Sequence, residues 1–130
     1  MKILVCYDDS KASMGALKLS IQHAKSFDAS VLVITSLIGG NKDGIEDNKK
    51  AEDGLKEAQA ILEKEGIQCE THLLVRGMTS GEDIIQYGKE HGVDEIIIGI
   101  RRTSKVGKMV FGSTAQYVIL EADCPVVTTK

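Results

Sequence analysis

The chain alternates between short apolar runs and longer stretches in which apolar residues recur every three or four positions. Lys2 to Tyr7 (KILVCY) is nearly all apolar, the pattern of a strand buried on both faces. It runs into Asp8 and Asp9. Ser10 then stands as the N-cap of a predicted helix in which Met14, Leu17, Ile21 and Ala24 share one face, out to about Phe27. Val31 to Ile34 repeats the buried-strand pattern and continues through Thr35, Ser36 and Leu37. Residues 38–47 (IGGNKDGIED) combine glycines and charges without an apolar period and read as a surface loop. Beyond them Ala51, Leu55, Ala58 and Leu62 mark a helix face that closes at Gly66.

From Cys69 to Arg76 apolar and polar residues alternate, Leu74 excepted, as expected of an edge strand. Ser80 to Asp83 (SGED) has capping-box spacing and opens a predicted helix with Ile84, Ile85 and Gly88 on one side and a stop at Gly92. Glu95 to Ile100 is a third buried strand. After a loop to Phe111, Ala115, Val118, Ile119 and Ala122 form a last helical face, and Pro125 ends it before the edge strand PVVTT. Strands spaced by helices of these lengths mean right-handed crossovers. The fold class is α/β: a doubly wound, mainly parallel five-stranded sheet with helices on both faces. In such folds ligands sit beyond the carboxyl ends of the strands, where strand order reverses, here after Tyr7, Leu37, Arg76 and Ile98.

Composition narrows the function classes. The 130 residues, 42% hydrophobic and 27% charged, suit one globular domain spanning 1–130 that needs neither disulfides nor metal to hold its core. A formal net charge of -3 argues against a dedicated nucleic-acid or anionic-membrane binder. The longest apolar run, Ile96 to Ile98 with Gly99 and Ile100, is far short of a membrane span, and the first residues lack the pattern of a signal peptide, so a cytoplasmic location is expected. Cys6, Cys69 and Cys124 read as buried or half-buried thiols, and His23, His72 and His91 are scattered. No metal-ligand spacing occurs among them.

The stretch Gly99 to Thr114 (GIRRTSKVGKMVFGST) carries the strongest local bias. Arg101, Arg102, Lys105 and Lys108 crowd together, and no acidic residue stands between Glu95 and Glu121. These cations precede a helix start at which Gly112, Ser113 and Thr114 offer backbone N–H groups, hydroxyls and the positive end of the helix dipole. Such a place suits phosphates; the bland alternative is a solvated basic loop with Ser113 as a helix cap. A P-loop is excluded because Gly107-Lys108 precedes Gly112-Ser113, and a dinucleotide fingerprint is missing after the first strand. A phosphoacceptor receiver is excluded because Asp8 and Asp9 have no third Asp at another strand end. Asp8 or Asp9 otherwise serves the turn into the first helix by accepting its hydrogen bonds.

Tyr7-Asp8-Asp9-Ser10 after the first strand resembles the V-D-x-S of the universal stress proteins. Gly99, Gly112 and Ser113 stand at the spacing of that family's G-x2-G-x9-G-[ST] motif, and Cys124-Pro125-Val126 matches its ending. The resemblance covers the whole chain. It implies a sheet of order 3-2-1-4-5, a homodimer through the fifth strand and, in one branch of the family, an ATP site. In that branch Asp8 lies by the adenine, the end of strand two contributes near Thr35, Ser36 and Leu37, and Gly99, Gly112, Ser113 and Thr114 hold ribose and phosphates, with Mg²⁺ only alongside the nucleotide. Arg102 replaces the second motif glycine. Either its side chain turns outward or grips a phosphate and the site is kept, or it fills the pocket as in the branch lacking ATP. The surrounding cations favour retention.

The resemblance therefore implies an adenine-nucleotide-binding stress-response module with an unspecified protein partner. The alternative is a nucleotide-free module acting through dimerisation and partner binding. Catalysis, if any, would be slow ATP hydrolysis assisted by Asp8, since no nucleophile and base stand together in the sequence.

Overall fold

The computed structural model describes residues 1–38, 44–100 and 112–130. The described elements are β1 (Lys2–Cys6), α1 (Lys11–Phe27), β2 (Ser30–Leu37), α2 (Gly44–Lys64), β3 (Cys69–Val75), α3 (Ser80–His91), β4 (Glu95–Gly99), α4 (Ser113–Glu121) and β5 (Val126–Thr129). The five strands form one sheet of order β3-β2-β1-β4-β5, with every described pairing parallel.

The continuous apolar strands are explained by cover on both faces. Ile3 and Val5 of β1 point to the face packed by α1 and α2, where Leu17, Ala58, Leu62 and Ile97 are also buried. Leu4 points to the other face, with Ile84, Ile96, Ile98 and Val118. Successive side chains thus enter two different cores, so no polar position is left in the middle of the strand. In β3 Leu73 packs toward the first core and Leu74 toward the second, which accounts for the break in alternation at Leu74. Val75, expected on the inner side, is exposed, because β3 is an edge and ends there.

Two further expectations change. Residues 44–47 of the expected loop already belong to α2, while 39–43 lie outside the described residues. On α4 only Ala115 and Val118 are buried and Ile119 is exposed. The helix packs mainly against α3, and a narrower stripe than expected is covered. His23, on α1, places Nδ1 2.6 Å from Oε1 of the buried Glu95 at the start of β4. The helix stops fall where expected, with Gly66 and Gly92 both in the left-handed region. No described helix is long and apolar enough to cross a membrane.

Candidate functional site

Strand order reverses between β1 and β4, and a cleft of about 340 Å³ opens beyond the carboxyl ends of the strands at that point. Its β1 side is Tyr7 and Asp8, its β2 side Thr35, Ser36 and Leu37, and its β4 side Gly99 and Ile100. Ser80 and Ile84 of α3 and Gly112 to Ala115 at the start of α4 complete the walls. The volume lies within the range of small-molecule sites, about 300–1,000 Å³.

The β1 end is shaped by the turn into α1. Asp8 Oδ1 accepts the Ser10 N–H at 3.0 Å, and the Asp8 N–H donates to Ser13 Oγ at 3.3 Å. Ser10 is the N-cap, its Oγ accepting the Ser13 N–H at 3.1 Å. Asp8 therefore does serve the turn, and it also lines the cleft. Asp9 takes a positive φ of 64°, a backbone state that Asp tolerates better than most residues.

Gly99 has a steric reason of its own. A Cβ there would lie 2.5 Å from the Ala12 carbonyl carbon and 2.7 Å from the Ser13 nitrogen, so the first turn of α1 presses directly on the end of β4. A Cβ on Gly112 would meet nothing within 4 Å among the described residues. Gly112, not Ser113, is the N-cap of α4, and no side chain caps that helix among the described residues. The residues of its first turn, Gly112 to Ala115, line the cleft.

The β2 end is held from behind by a buried ion pair. Asp83 is fully buried on α3; its Oδ1 accepts Arg76 Nε at 2.6 Å and its Oδ2 accepts the Ser36 hydroxyl at 2.7 Å. Arg76 also donates to Glu90 Oε1 at 3.0 Å. Desolvation pulls the guanidinium down, but hydrogen bonds and charge from Asp83 and Glu90 outweigh it and hold Arg76 above its ordinary value. The expected capping box is not formed. Thr79 is the N-cap without a side-chain hydrogen bond, and the Ser80 hydroxyl instead donates to the Ser36 carbonyl at 3.2 Å.

Cys6 and Tyr7 also border the cleft. Desolvation and then the Asp8 charge push the Cys6 thiol up to about 12. Burial, followed by the charges of Asp9 and Glu57 and the hydrogen bond to Asp9, does the same for the Tyr7 phenol, also to about 12. Both stay protonated near neutral pH, so neither is an activated nucleophile.

Asp8, Ser36, Leu37, Gly99, Gly112, Ser113 and Thr114 thus come together around one cleft. Arg102 lies outside the described residues, as do Arg101, Lys105 and Lys108. Sequence reasoning missed Ser13 and Ser80 as lining residues. Ser13 carries no motif, and Ser80 carries one that points to a helix cap.

The model of the universal stress protein family matches residues 1–130. The chain belongs to that family. A universal stress protein from Archaeoglobus fulgidus is 39% identical and superposes with a TM-score of 0.92, over 100% of this chain and 98% of that one. A structure of the universal stress protein from Archaeoglobus fulgidus in complex with dAMP is 37% identical, with a TM-score of 0.84 and the same coverage. A universal stress protein of Mycolicibacterium smegmatis is 30% identical over 129 residues, covering 98% of this chain and 96% of its relative. The strand order of this universal stress protein agrees with what the resemblance implied.

Proposed function

We propose that this universal stress protein binds an adenine nucleotide in the cleft between β1 and β4 and acts as a stress-response regulatory or protective module. The observation that carries the proposal is the start of α4, where a helix N-terminus without a side-chain cap among the described residues opens onto a cleft of ligand size. The dAMP complex of the relative at 37% identity supports the reading. In this proposal Gly112, Ser113 and Thr114 receive phosphate, Asp8 and the Thr35 to Leu37 wall receive the base, and ATP with Mg²⁺ is the form expected at the full polyphosphate site.

The test is occupancy. Purified protein, denatured and examined by mass spectrometry, releases adenine nucleotide, and ATP or AMP at 100 times its dissociation constant adds about 2.7 kcal/mol in a thermal scan. Ser113→Ala weakens ATP about tenfold or more if its hydroxyl meets a charged oxygen. No released nucleotide and no thermal shift with millimolar ATP and Mg²⁺ would leave the alternative, a nucleotide-free module. Pairing of two copies through β5 belongs to the same proposal. The outer edge of that strand has no partner among the described residues, and Leu120 nearby in sequence is 72% exposed. Elution as a monomer of 14.1 kDa at high concentration counts against that part.

A further inference from the structure

Six serine and threonine hydroxyls border the cleft, and the four that lie away from the start of α4 have their single hydrogen committed elsewhere. Ser13 Oγ donates to the Ser10 carbonyl at 3.0 Å and Thr35 Oγ1 to the Tyr7 carbonyl at 2.7 Å. Ser80 Oγ donates to the Ser36 carbonyl at 3.2 Å and Ser36 Oγ to Asp83 at 2.7 Å. A hydroxyl has one donor hydrogen and two lone pairs. Whatever these groups offer a ligand is therefore an acceptor. The start of α4, across the cleft, offers N–H donors.

Three of the four acceptors that hold these hydrogens are backbone carbonyls, whose character no side chain can change. Asp83 is the exception. Arg76 pairs with its Oδ1 at 2.6 Å, and the Ser36 hydroxyl donates to its Oδ2 at 2.7 Å. Full burial of Asp83 keeps water from taking the place of the Ser36 hydroxyl.

We propose that Asp83, held by Arg76, is a specificity-determining positioning residue. By committing the Ser36 hydrogen it makes the Ser36 hydroxyl accept without donating, and so favours a base that brings an exocyclic amine to it. This rests on the nucleotide reading above and adds the reason for preferring a 6-amino purine. A base with only acceptors on that edge would set lone pair against lone pair, and a polar group left unpaired in a site built for pairing is rejected strongly.

The experiment compares AMP with purine riboside 5′-monophosphate, which lacks the amine and is otherwise the same, by calorimetric titration of the whole chain. In the wild type AMP binds about tenfold tighter or more. Asp83→Asn keeps the shape: its carbonyl accepts from Arg76, its amide then donates to Ser36, and the Ser36 hydrogen turns toward the cleft. The variant therefore gains affinity for purine riboside 5′-monophosphate, and the preference narrows to within about threefold. A merely structural role for Asp83 would weaken both ligands alike. Ser36→Ala, which leaves the Arg76–Asp83 pair in place, weakens AMP and narrows the preference without that gain, and it serves if Asp83→Asn does not fold. Equal binding of the two nucleotides by the wild type overturns the inference while the nucleotide reading stands. An unchanged preference in either variant overturns the assignment to Asp83 and Ser36. Binding of neither nucleotide by the wild type overturns the reading and the inference together.

Discussion

The starts of α1 and α3 carry similar polar residues and use them in opposite ways. At α1 the hydrogen bonds are local: Ser10 caps the helix, Asp8 accepts from the Ser10 N–H, and Ser13 Oγ returns a hydrogen to the Ser10 carbonyl. At α3 Ser80 and Asp83 ignore their own helix and reach to the ends of β2 and β3, to the Ser36 carbonyl, the Ser36 hydroxyl and Arg76. The difference lies in what stands opposite. Beyond β1 the turn is exposed at Asp8 and Asp9, and local capping is made there. Beside α3 a strand end brings a guanidinium and a hydroxyl into a buried place, where an unpaired polar group costs more than a missing cap. Tertiary demand overrides the local motif when the local site is buried.

The contrast can be broken most severely at Asp83. Asp83→Ala leaves Arg76 facing a void, and loss of one partner of a buried pair costs about 3–5 kcal/mol, here toward the lower end because Arg76 is 28% exposed and keeps Glu90. Urea unfolding measures it; a loss under about 1 kcal/mol would place the pair with ordinary surface ion pairs. Next comes the packing of each helix start. Gly99→Ala drives a methyl into the backbone of α1 and costs about 1–3 kcal/mol. Gly81→Ala meets the side chain of Tyr117, its ring at 2.9 Å and its Cβ at 3.0 Å, and no backbone atom, so it costs less than Gly99→Ala. Equal losses in the two variants would show that backbone and ring yield alike. The smallest effects sharpen the comparison of caps: Ser10→Ala costs about 1 kcal/mol, whereas Thr79→Ala, which removes no capping bond, stays within about 0.5 kcal/mol. Matching thermal shifts for the two would mean that α3 is capped by Thr79 after all.

Much of this was legible in the residues. The three central strands announced themselves because burial on both faces leaves no polar position, and the end of β2 was found as a cleft wall from the switch-point rule alone. Strand order was not legible from local pattern, since nothing in KILVCY says which strands lie beside it; the resemblance implied it. Ser80 and Asp83 were misread because capping-box spacing is a property of four residues, while their partners are Ser36 and Arg76. Ile119 was misread because a periodic pattern shows which residues could share a face, not how wide a stripe the neighbours cover.

The strand order also sets a timetable. Ile3 to Cys6 lie beside Val31 to Ile34 on one side and beside Glu95 to Ile98 on the other. A chain emerging from the ribosome at about 5–20 residues per second joins β1 to β2 early, then waits seconds for β4. During that interval the innermost strand of the finished sheet is an open edge, with Ile3, Leu4 and Val5 available to any other strand. The most protected segment of the folded protein is the most exposed one during its birth, and a chain halted before Glu95 carries its aggregation risk at its first strand.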